Sequence, residues 1–234
     1  MSARPHVICH MMVSLDGRIH PSRWTESPDG ARGDWSRLYE RLHETFAADA
    51  WLVGRVTMAE MSKANAHPPA VVGAVERPHR FARRGAGVYA MALDRDGKLH
   101  FGAPDVGGDP VVVLLGPGVP DSHLAELASD GVSYVVAQDE AMDVGALLEV
   151  VGRELGVRRI LLEGGGHVNG ALLAAGLVDE LSLLVAPAID GGEGVTGAFD
   201  AGAAGLAGKA KLRLTSVETL EHGVVHLRYA VEPA

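Results

Sequence analysis

The triple glycine at positions 164–166 is the pattern in this chain with the clearest chemistry. It follows a β-type apolar run and opens a helical pattern. Three glycines there leave backbone N–H groups unhindered at a helix N-terminus, which is a ready site for a pyrophosphate. The alternative is a tight strand-to-helix turn in which glycine only relieves steric crowding. A run of three favours phosphate binding, which a single glycine would not justify.

A second segment with phosphate-binding chemistry is Gly54-Arg55-Val56-Thr57, which follows the buried run AWLV. Arg55 can hold a phosphate bidentately, and the Thr57 hydroxyl and free N–H groups add donors. A surface arginine and a threonine at a helix start are the ordinary alternative. Together with the triple glycine, this segment predicts one long ligand with phosphates at two places, hence a dinucleotide.

Two carboxylates also follow strand-like runs. Asp16 lies in SLDG, and Glu163 directly precedes the three glycines. Asp16 either caps its own backbone in an Asx-type turn or binds an amide-like substrate edge or supplies a proton. Glu163 is either a buried helix-cap partner or an active-site acid, and a proton donor at neutral pH would need a raised pKa.

The eleven histidines and the single cysteine predict no metal site. No HExxH motif exists, and one cysteine excludes both an intramolecular disulfide and a zinc site that needs two cysteines. His6 and His10 share a strand face but lie about 13 Å apart there. We expect structural or exposed roles for the histidines, although His167, in the first helical turn, can contact phosphate. A G-x-S-x-G elbow is also absent, so no serine-nucleophile triad can be argued.

The elements that must position these residues alternate between two kinds of pattern. Strands are predicted at 6–13, 50–54, 88–94, 111–115, 132–137, 158–163 and 179–189, with a final hairpin of 209–219 and 223–232. Helices are predicted at 34–48, from 55, at 121–130, at 143–155 and from the triple glycine, with Asp34 or Ser36 and Asp121 as N-caps. Residues 64–86, rich in Pro, Arg and Gly, are predicted to form a long loop or lid.

Strands separated by helices indicate βαβ units and a mostly parallel central sheet flanked by helices, with the antiparallel hairpin at one edge. In such an α/β fold, ligands bind at the carboxyl ends of the strands. Three of the segments that follow strands are glycine-rich and three contain arginine. This edge of the sheet therefore suits an anionic ligand.

Length and composition limit the class of protein. The 234 residues are 47% hydrophobic with a net charge of −9, which predicts one globular domain over 1–234 and argues against a nucleic-acid partner. No uncharged apolar stretch reaches 18 residues, and we expect that the N-terminus is not a signal peptide and that the protein has no membrane partner. The cysteine usage suits a reducing compartment, and we expect a cytoplasmic location.

Four segments, taken in order, resemble the reductase domain of riboflavin biosynthesis proteins, a branch of the dihydrofolate-reductase-like fold. They are MMVSLDGRI, DAWLVGRVT, MALDRDGKL and ILLEGGGHVNGALLAAGLVDELSLLVAPAIDGG, and the resemblance extends from residue 6 to about 192. It implies a homodimeric reductase that transfers a hydride from NADPH to ribose C1′ of a phosphorylated pyrimidine, of the 5-amino-6-(5-phosphoribosylamino)uracil type. The deaminase often fused to this domain needs paired cysteines, which this chain lacks.

The resemblance also implies roles for individual residues. Cofactor phosphates would be held by Gly54, Arg55, Thr57, Gly164, Gly165, Gly166, His167 and Val168. Arg95 would lie near the adenosine 2′-phosphate, and Ser14, Asp16 and Glu163 would face nicotinamide and substrate, the two carboxylates as catalytic groups. Arg32 matches an "AR" in the family's first loop and would bind a substrate phosphate. Trp24 would either cover the heterocycle or anchor its loop.

One segment departs from the family pattern. Riboflavin reductases usually carry an Asp-rich DDPxLTxR-like stretch after the G-x-x-T helix, and here the run is MAEMSKANAHPPAVVG. Two alternatives to the pyrimidine reductase therefore stay open. One is a reductase of the same fold for a pterin or dihydrofolate, and the other is a non-catalytic nucleotide-binding protein.

Overall fold

The computed structural model describes residues 4–67 and 75–234, which contain eleven β-strands and five α-helices. The strands are β1 His6–Val13, β2 Ala50–Gly54, β3 His79–Arg80, β4 Tyr89–Asp94, β5 Asp105–Val106, β6 Asp109–Leu115, β7 Ser133–Val136, β8 Arg159–Leu162, β9 Glu180–Val185, β10 Ala210–Thr219 and β11 Val225–Pro233. The helices are α1 Arg32–Thr45, α2 Arg55–Ser62, α3 Asp121–Ser129, α4 Val144–Leu155 and α5 Gly166–Ala174. The predicted strands and helices all occur, in the predicted order, and β3 and β5 are two short strands that the sequence does not predict.

The chain divides into two compact units at three points, one of which lies within β8. The first unit comprises Met1–Pro5 and Ala48–Ile160, and the second comprises His6–Ala47 and Leu161–Ala234. Among the described helices, none combines the length and the apolar content that crossing a bilayer requires.

The first unit contains a sheet whose central strands are parallel. β2, β4, β6 and β7 pair in that order, with Val53 opposite Ala92 and Leu93 opposite Leu114. β3 adds to β7 and β5 adds to β6 in antiparallel fashion. Residues 111–115 of β6 are all buried, as expected for a parallel strand covered on both faces. The parallel register places the residues that follow β2, β4 and β6 at the same edge of this sheet.

The second unit mixes parallel and antiparallel pairing. β1 and β9 are parallel, β11 is antiparallel to β9, and β10 pairs with β11 as the predicted hairpin. Its core contains Trp24, Trp35, Leu38, Leu184 and Val224, so helix α1 buries its apolar face here. The hairpin strand β10 is exposed over most of its length.

Both predicted N-caps of α1 and that of α3 are wrong. α1 begins two residues earlier, with Ala31 as its N-cap, and Asp34 lies in the first turn, where its carboxylate accepts from the Ala31 N–H at 2.9 Å. α3 has Pro120 as its N-cap, and Asp121 is its first helical residue. An aspartate stabilises a helix start from within the first turn as well as from the cap, because the positive end of the helix dipole extends there.

The predicted loop at 64–86 contains one short strand, and part of it lies outside the described residues, at 68–74. The strand is β3, where His79 pairs with Val135 and Arg80 pairs with Tyr134. Two residues give no periodic signal in a sequence, because a period of two needs a longer run. The prediction of an unbroken loop is therefore wrong at His79–Arg80.

Candidate active site

The turn after β1 holds the Asp16 carboxylate with three hydrogen bonds. The Ser14 hydroxyl donates to Asp16 Oδ1 at 2.6 Å, and the backbone N–H groups of Asp190 and Gly191 donate at 3.1 and 2.9 Å. These bonds, that from Ser14 first, hold the pKa of Asp16 well below its usual range. Asp16 is therefore an ionised acceptor at neutral pH, which suits recognition of N–H groups better than proton donation.

Ser14 is committed to this turn. Its side chain is buried, and its oxygen also accepts from the Arg18 N–H at 3.0 Å. Asp16 accepts from the Asp190 and Gly191 N–H groups, which follow β9, so these bonds are not those of the Asx-type turn that the sequence left open.

Glu163 is held by two side chains of α1. Its Oε1 accepts from the Tyr39 hydroxyl at 2.7 Å and lies 2.9 Å from His43 Nδ1, and its side chain is 14% exposed. Burial and the Glu163 charge raise the pKa of Tyr39 well above its usual value, so the phenol stays protonated and can donate. The carboxylate is therefore fixed in place while part of it stays accessible.

Sequence reasoning missed Tyr39 and His43. Their spacing of four residues places both on one face of α1, the signal that could have found them. Behind them, His10 stacks on Tyr39 with ring centroids 4.4 Å apart, and its Nδ1 lies 2.9 Å from Ser182 Oγ. Burial lowers the pKa of His10 to about 4. A neutral, buried histidine thus supports the ring that holds Glu163.

The triple glycine forms an uncapped helix start. Gly165 is the N-cap of α5 and provides no side-chain cap, and within the first turn the Val168 N–H donates to the Gly165 carbonyl at 3.0 Å. Gly164 has a φ of +101°, a conformation that favours glycine, and the Gly164–Gly165 peptide is cis. A Cβ added at Gly165 would meet nothing within 4 Å, whereas one at Gly166 would lie 2.0 Å from the Gly197 carbonyl oxygen. Close packing therefore explains the glycine at 166, whereas the space beside Gly165 is open.

The two residues after the glycines differ in exposure. His167 is exposed, and its Nδ1 lies 3.0 Å from Asp200 Oδ2, whereas Val168 is half-buried. The Asp200 N–H donates to the Gly166 carbonyl at 2.9 Å, so this aspartate is tied to the start of α5.

In the first unit, three of the predicted cofactor residues lie at the junction of β2 and α2. Gly54 is buried and is the N-cap of α2 without a side-chain cap, Arg55 is exposed, and Thr57 is half-buried. Arg95, also exposed, follows β4, and its carbonyl accepts from the Gly116 N–H at 3.1 Å. Both arginines thus follow adjacent parallel strands at the same edge of the sheet.

Trp24 and Arg32, both predicted to bind substrate, line the same cavity of about 380 Å³ in the second unit. Trp24 is 9% exposed, and its ring lies 6.0 Å from that of Trp35 in the core. It therefore anchors its loop and still contributes a wall to the cavity. Arg32 is exposed at the start of α1 and provides the cavity with a positive charge.

Comparisons with known proteins place these features in a family context. The family model described as RibD C-terminal domain matches residues 5–226. A curated relative from Methanothermobacter thermautotrophicus, named 2,5-diamino-6-ribosylamino-4(3H)-pyrimidinone 5′-phosphate reductase, is 31% identical over 81% of this chain and 81% of that protein.

Solved structures are similar over nearly the whole chain. A pyrimidine reductase-like protein from Corynebacterium diphtheriae has a TM-score of 0.65 at 23% identity, covering 98% of this chain and 93% of that one. Acinetobacter baumannii RibD has a TM-score of 0.66 at 21% identity, covering 98% of this chain and 58% of that one. At these identities the likeness concerns the fold alone, and it confirms the predicted α/β class.

Proposed function

The chain belongs to the RibD C-terminal domain family, and from that premise we propose that it is an NADPH-dependent reductase of a phosphoribosylamino-pyrimidine. The observation that carries the proposal is the sequence of groups at the end of β8. There Glu163, held by Tyr39 and His43, directly precedes the uncapped glycine start of α5. A carboxylate held beside an anion-binding helix start suits a reaction that combines a dinucleotide with proton transfer.

The residues fit a dinucleotide phosphate. In the second unit, the open space over Gly165 and the uncapped N–H groups of α5 suit a pyrophosphate. In the first unit, Arg55 and Arg95 are exposed cations at strand ends, and we assign them to the 2′-phosphate that distinguishes NADPH from NADH. NADPH, when bound, supplies the hydride that reduces C1′ of the ribosyl group.

The chain's own residues bind, orient and move protons. We assign proton handling to Glu163, because its hydrogen bonds fix the carboxylate oxygen that they share. We assign Asp16 to accepting hydrogen bonds from the pyrimidine, because its low pKa keeps it ionised. The cavity lined by Trp24 and Arg32 is assigned to the substrate's phosphate-bearing part, since Arg32 is a cation beside an aromatic wall.

The substrate class follows from the curated relatives. Three of them, from different organisms, are named for 2,5-diamino-6-ribosylamino-4(3H)-pyrimidinone 5′-phosphate. The substrate expected from the sequence, 5-amino-6-(5-phosphoribosylamino)uracil, differs from this compound at one ring substituent, so both belong to the proposed class.

A homodimer is part of the proposal. β10 lies at the end of its sheet and exposes Leu212, Leu214 and Val217, each more than half accessible to solvent. An exposed apolar edge strand is a template for pairing with another chain. We assign this strand to the contact between two copies.

The experiment measures NADPH oxidation by the purified chain with each pyrimidine phosphate and with dihydrofolate. We expect turnover with the pyrimidine phosphates, a ribityl product and far slower turnover with dihydrofolate. Preference for dihydrofolate would support the pterin-type alternative. Tight NADPH binding without any turnover would support the non-catalytic alternative, and absence of NADPH binding would refute the whole proposal.

A further inference from the structure

Five metal-ligating side chains gather in the first unit, and none of them is assigned to the proposed reaction. His100, His123 and Glu126 each place one ligand atom within 4.8 Å of the others. His67, Glu126 and Asp130 form a second group that meets the same limit, so Glu126 belongs to both. Each group combines imidazole with carboxylate, which is a donor set for a borderline transition-metal ion.

The fold builds this cluster from one helix and two connecting segments. His123 and Glu126 are three residues apart on α3, and Asp130 follows four residues later, so all three share one helix face. His100 comes from the segment after β4, and its Nδ1 lies 2.7 Å from Glu126 Oε1. The rings of His100 and His123 meet edge-on, with centroids 5.6 Å apart.

His67 reaches the same helix face from the segment after α2. Its Nε2 lies 3.2 Å from Asp130 Oδ2 and 3.0 Å from the Phe101 carbonyl oxygen. This nitrogen is engaged by protein oxygens, which makes His100, His123 and Glu126 the better set of ligands.

Burial leaves one member of this set incompletely satisfied. His123 is 5% exposed and Glu126 is 6% exposed. Nε2 of His123 is buried and has no hydrogen-bond partner. Buried polar atoms are nearly always paired, because an unpaired one loses its water without compensation. This unpartnered nitrogen belongs to a ring that meets a second imidazole edge-on and lies in a group with a buried carboxylate, which indicates a missing ligand.

We propose that His100, His123 and Glu126 bind a divalent transition-metal ion of the zinc class. Metal–ligand bonds of about 2 Å would draw the three ligand atoms together by small side-chain movements. The bound ion ties α3 to the segment after β4.

The first test uses the whole chain, stripped of metal by a chelator and titrated with Zn²⁺ by calorimetry. We expect one ion per chain and a higher thermal unfolding temperature with metal. Co²⁺ as a spectroscopic probe should give the visible absorption of a site with histidine ligands. If the chain takes up no stoichiometric Zn²⁺, the cluster is a hydrogen-bonded one only and the proposal fails.

Variants then test the ligands. His123→Ala and His100→Gln should each weaken Zn²⁺ binding by more than about 100-fold. Loss of a residue that only hydrogen-bonds to a metal ligand weakens binding by about 100-fold at most. His6→Gln is the matched control, because it removes an imidazole that pairs with Asp179 and Glu180 on the surface, and binding should not change. His100 is less buried than His123, so its variant serves if His123→Ala does not fold. Unchanged affinity in His100→Gln would overturn the assignment.

Discussion

The Tyr39 hydroxyl donates a hydrogen bond of 2.7 Å to Oε1 of Glu163. The same hydroxyl lies 3.1 Å from the His10 carbonyl oxygen. Tyr39, a residue of α1, therefore contacts both the Glu163 carboxylate and the backbone of β1. The catalytic role that we propose for Glu163 needs this kind of support, because small displacements of a reacting group reduce rates strongly.

We expect Tyr39→Phe to lower kcat by about tenfold to a hundredfold and leave the Kd for NADPH unchanged, because a hydrogen bond to a charged group contributes about 1.5–3 kcal/mol. Steady-state kinetics and a cofactor titration measure the two effects. Tyr134→Phe is the control, since it also removes a tyrosine hydrogen bond, to the Glu76 carbonyl at 2.8 Å, but should leave kcat intact. Equal losses of kcat in both variants would indicate that Tyr39 contributes only to the stability of the fold.

We expect Arg55 to determine the preference for NADPH over NADH. Arg55→Ala removes an exposed cation at the start of α2, and we expect NADPH affinity to fall by about tenfold to a hundredfold. NADH lacks the 2′-phosphate, so its affinity should change little. Cofactor titrations by fluorescence measure both values, and equal losses for NADPH and NADH would reject the assignment to the 2′-phosphate.

Two adjacent glycines should respond differently to alanine. At Gly165 a Cβ meets open space, so Gly165→Ala should leave the free energy of unfolding nearly unchanged while weakening NADPH binding. At Gly166 a Cβ would collide with the Gly197 carbonyl, so Gly166→Ala should destabilise the chain by about 1–3 kcal/mol. Denaturant unfolding and cofactor titration on both variants make the comparison. Full NADPH affinity in Gly165→Ala would argue against pyrophosphate binding at this helix start.

The sequence predicts buried strands well and local polar contacts poorly. β1 and β2 have the predicted bounds, because apolar runs bounded by turn residues identify buried strands without tertiary information. The N-cap of α3 was misplaced, because aspartate is favourable at several positions of a first turn.

The site residues that the sequence does not predict are missed for a different reason. Tyr39 and His43 read as ordinary positions of an amphipathic helix, and only the tertiary fold brings them to Glu163, more than a hundred residues away. The cluster of His100, His123 and Glu126 was missed likewise, because only two of its members share a helix. The predicted roles of Gly54, Thr57 and Ser14 stay predictions.

Burial of His10 should make stability depend on pH in mildly acidic solution. Its pKa falls from 6.5 to about 4 in the folded chain, because burial disfavours the charged ring. Between these values the unfolded state binds a proton that the folded state does not, so stability is present above pH 6.5 and is lost as pH falls toward 4. The loss from this group is about 3 kcal/mol.

Urea unfolding at pH 7 and pH 4.5 measures this dependence, and His10→Gln should flatten it relative to the unmodified chain. Burial also lowers the pKa of His123 and His226, so part of the slope should survive in the variant. His20→Gln is the control, since that side chain is exposed, and its slope should match the unmodified chain. An unaltered slope in His10→Gln would show that the ring does not titrate in this way.

The exposed edge strand should set the oligomeric state. Leu214 is 51% exposed on β10, and Leu212 and Val217 are exposed on the same strand. Leu214→Arg would place a charge in the proposed contact and cost the burial of one leucine, about 1.5–3 kcal/mol, plus desolvation of the charge. At micromolar concentration, we expect light scattering to show a dimer for the unmodified chain and a monomer for the Leu214→Arg variant. Thr219→Arg adds the same charge at the end of the strand and should leave the dimer intact. A monomeric unmodified chain, or a dimer that survives Leu214→Arg, would remove β10 from the interface.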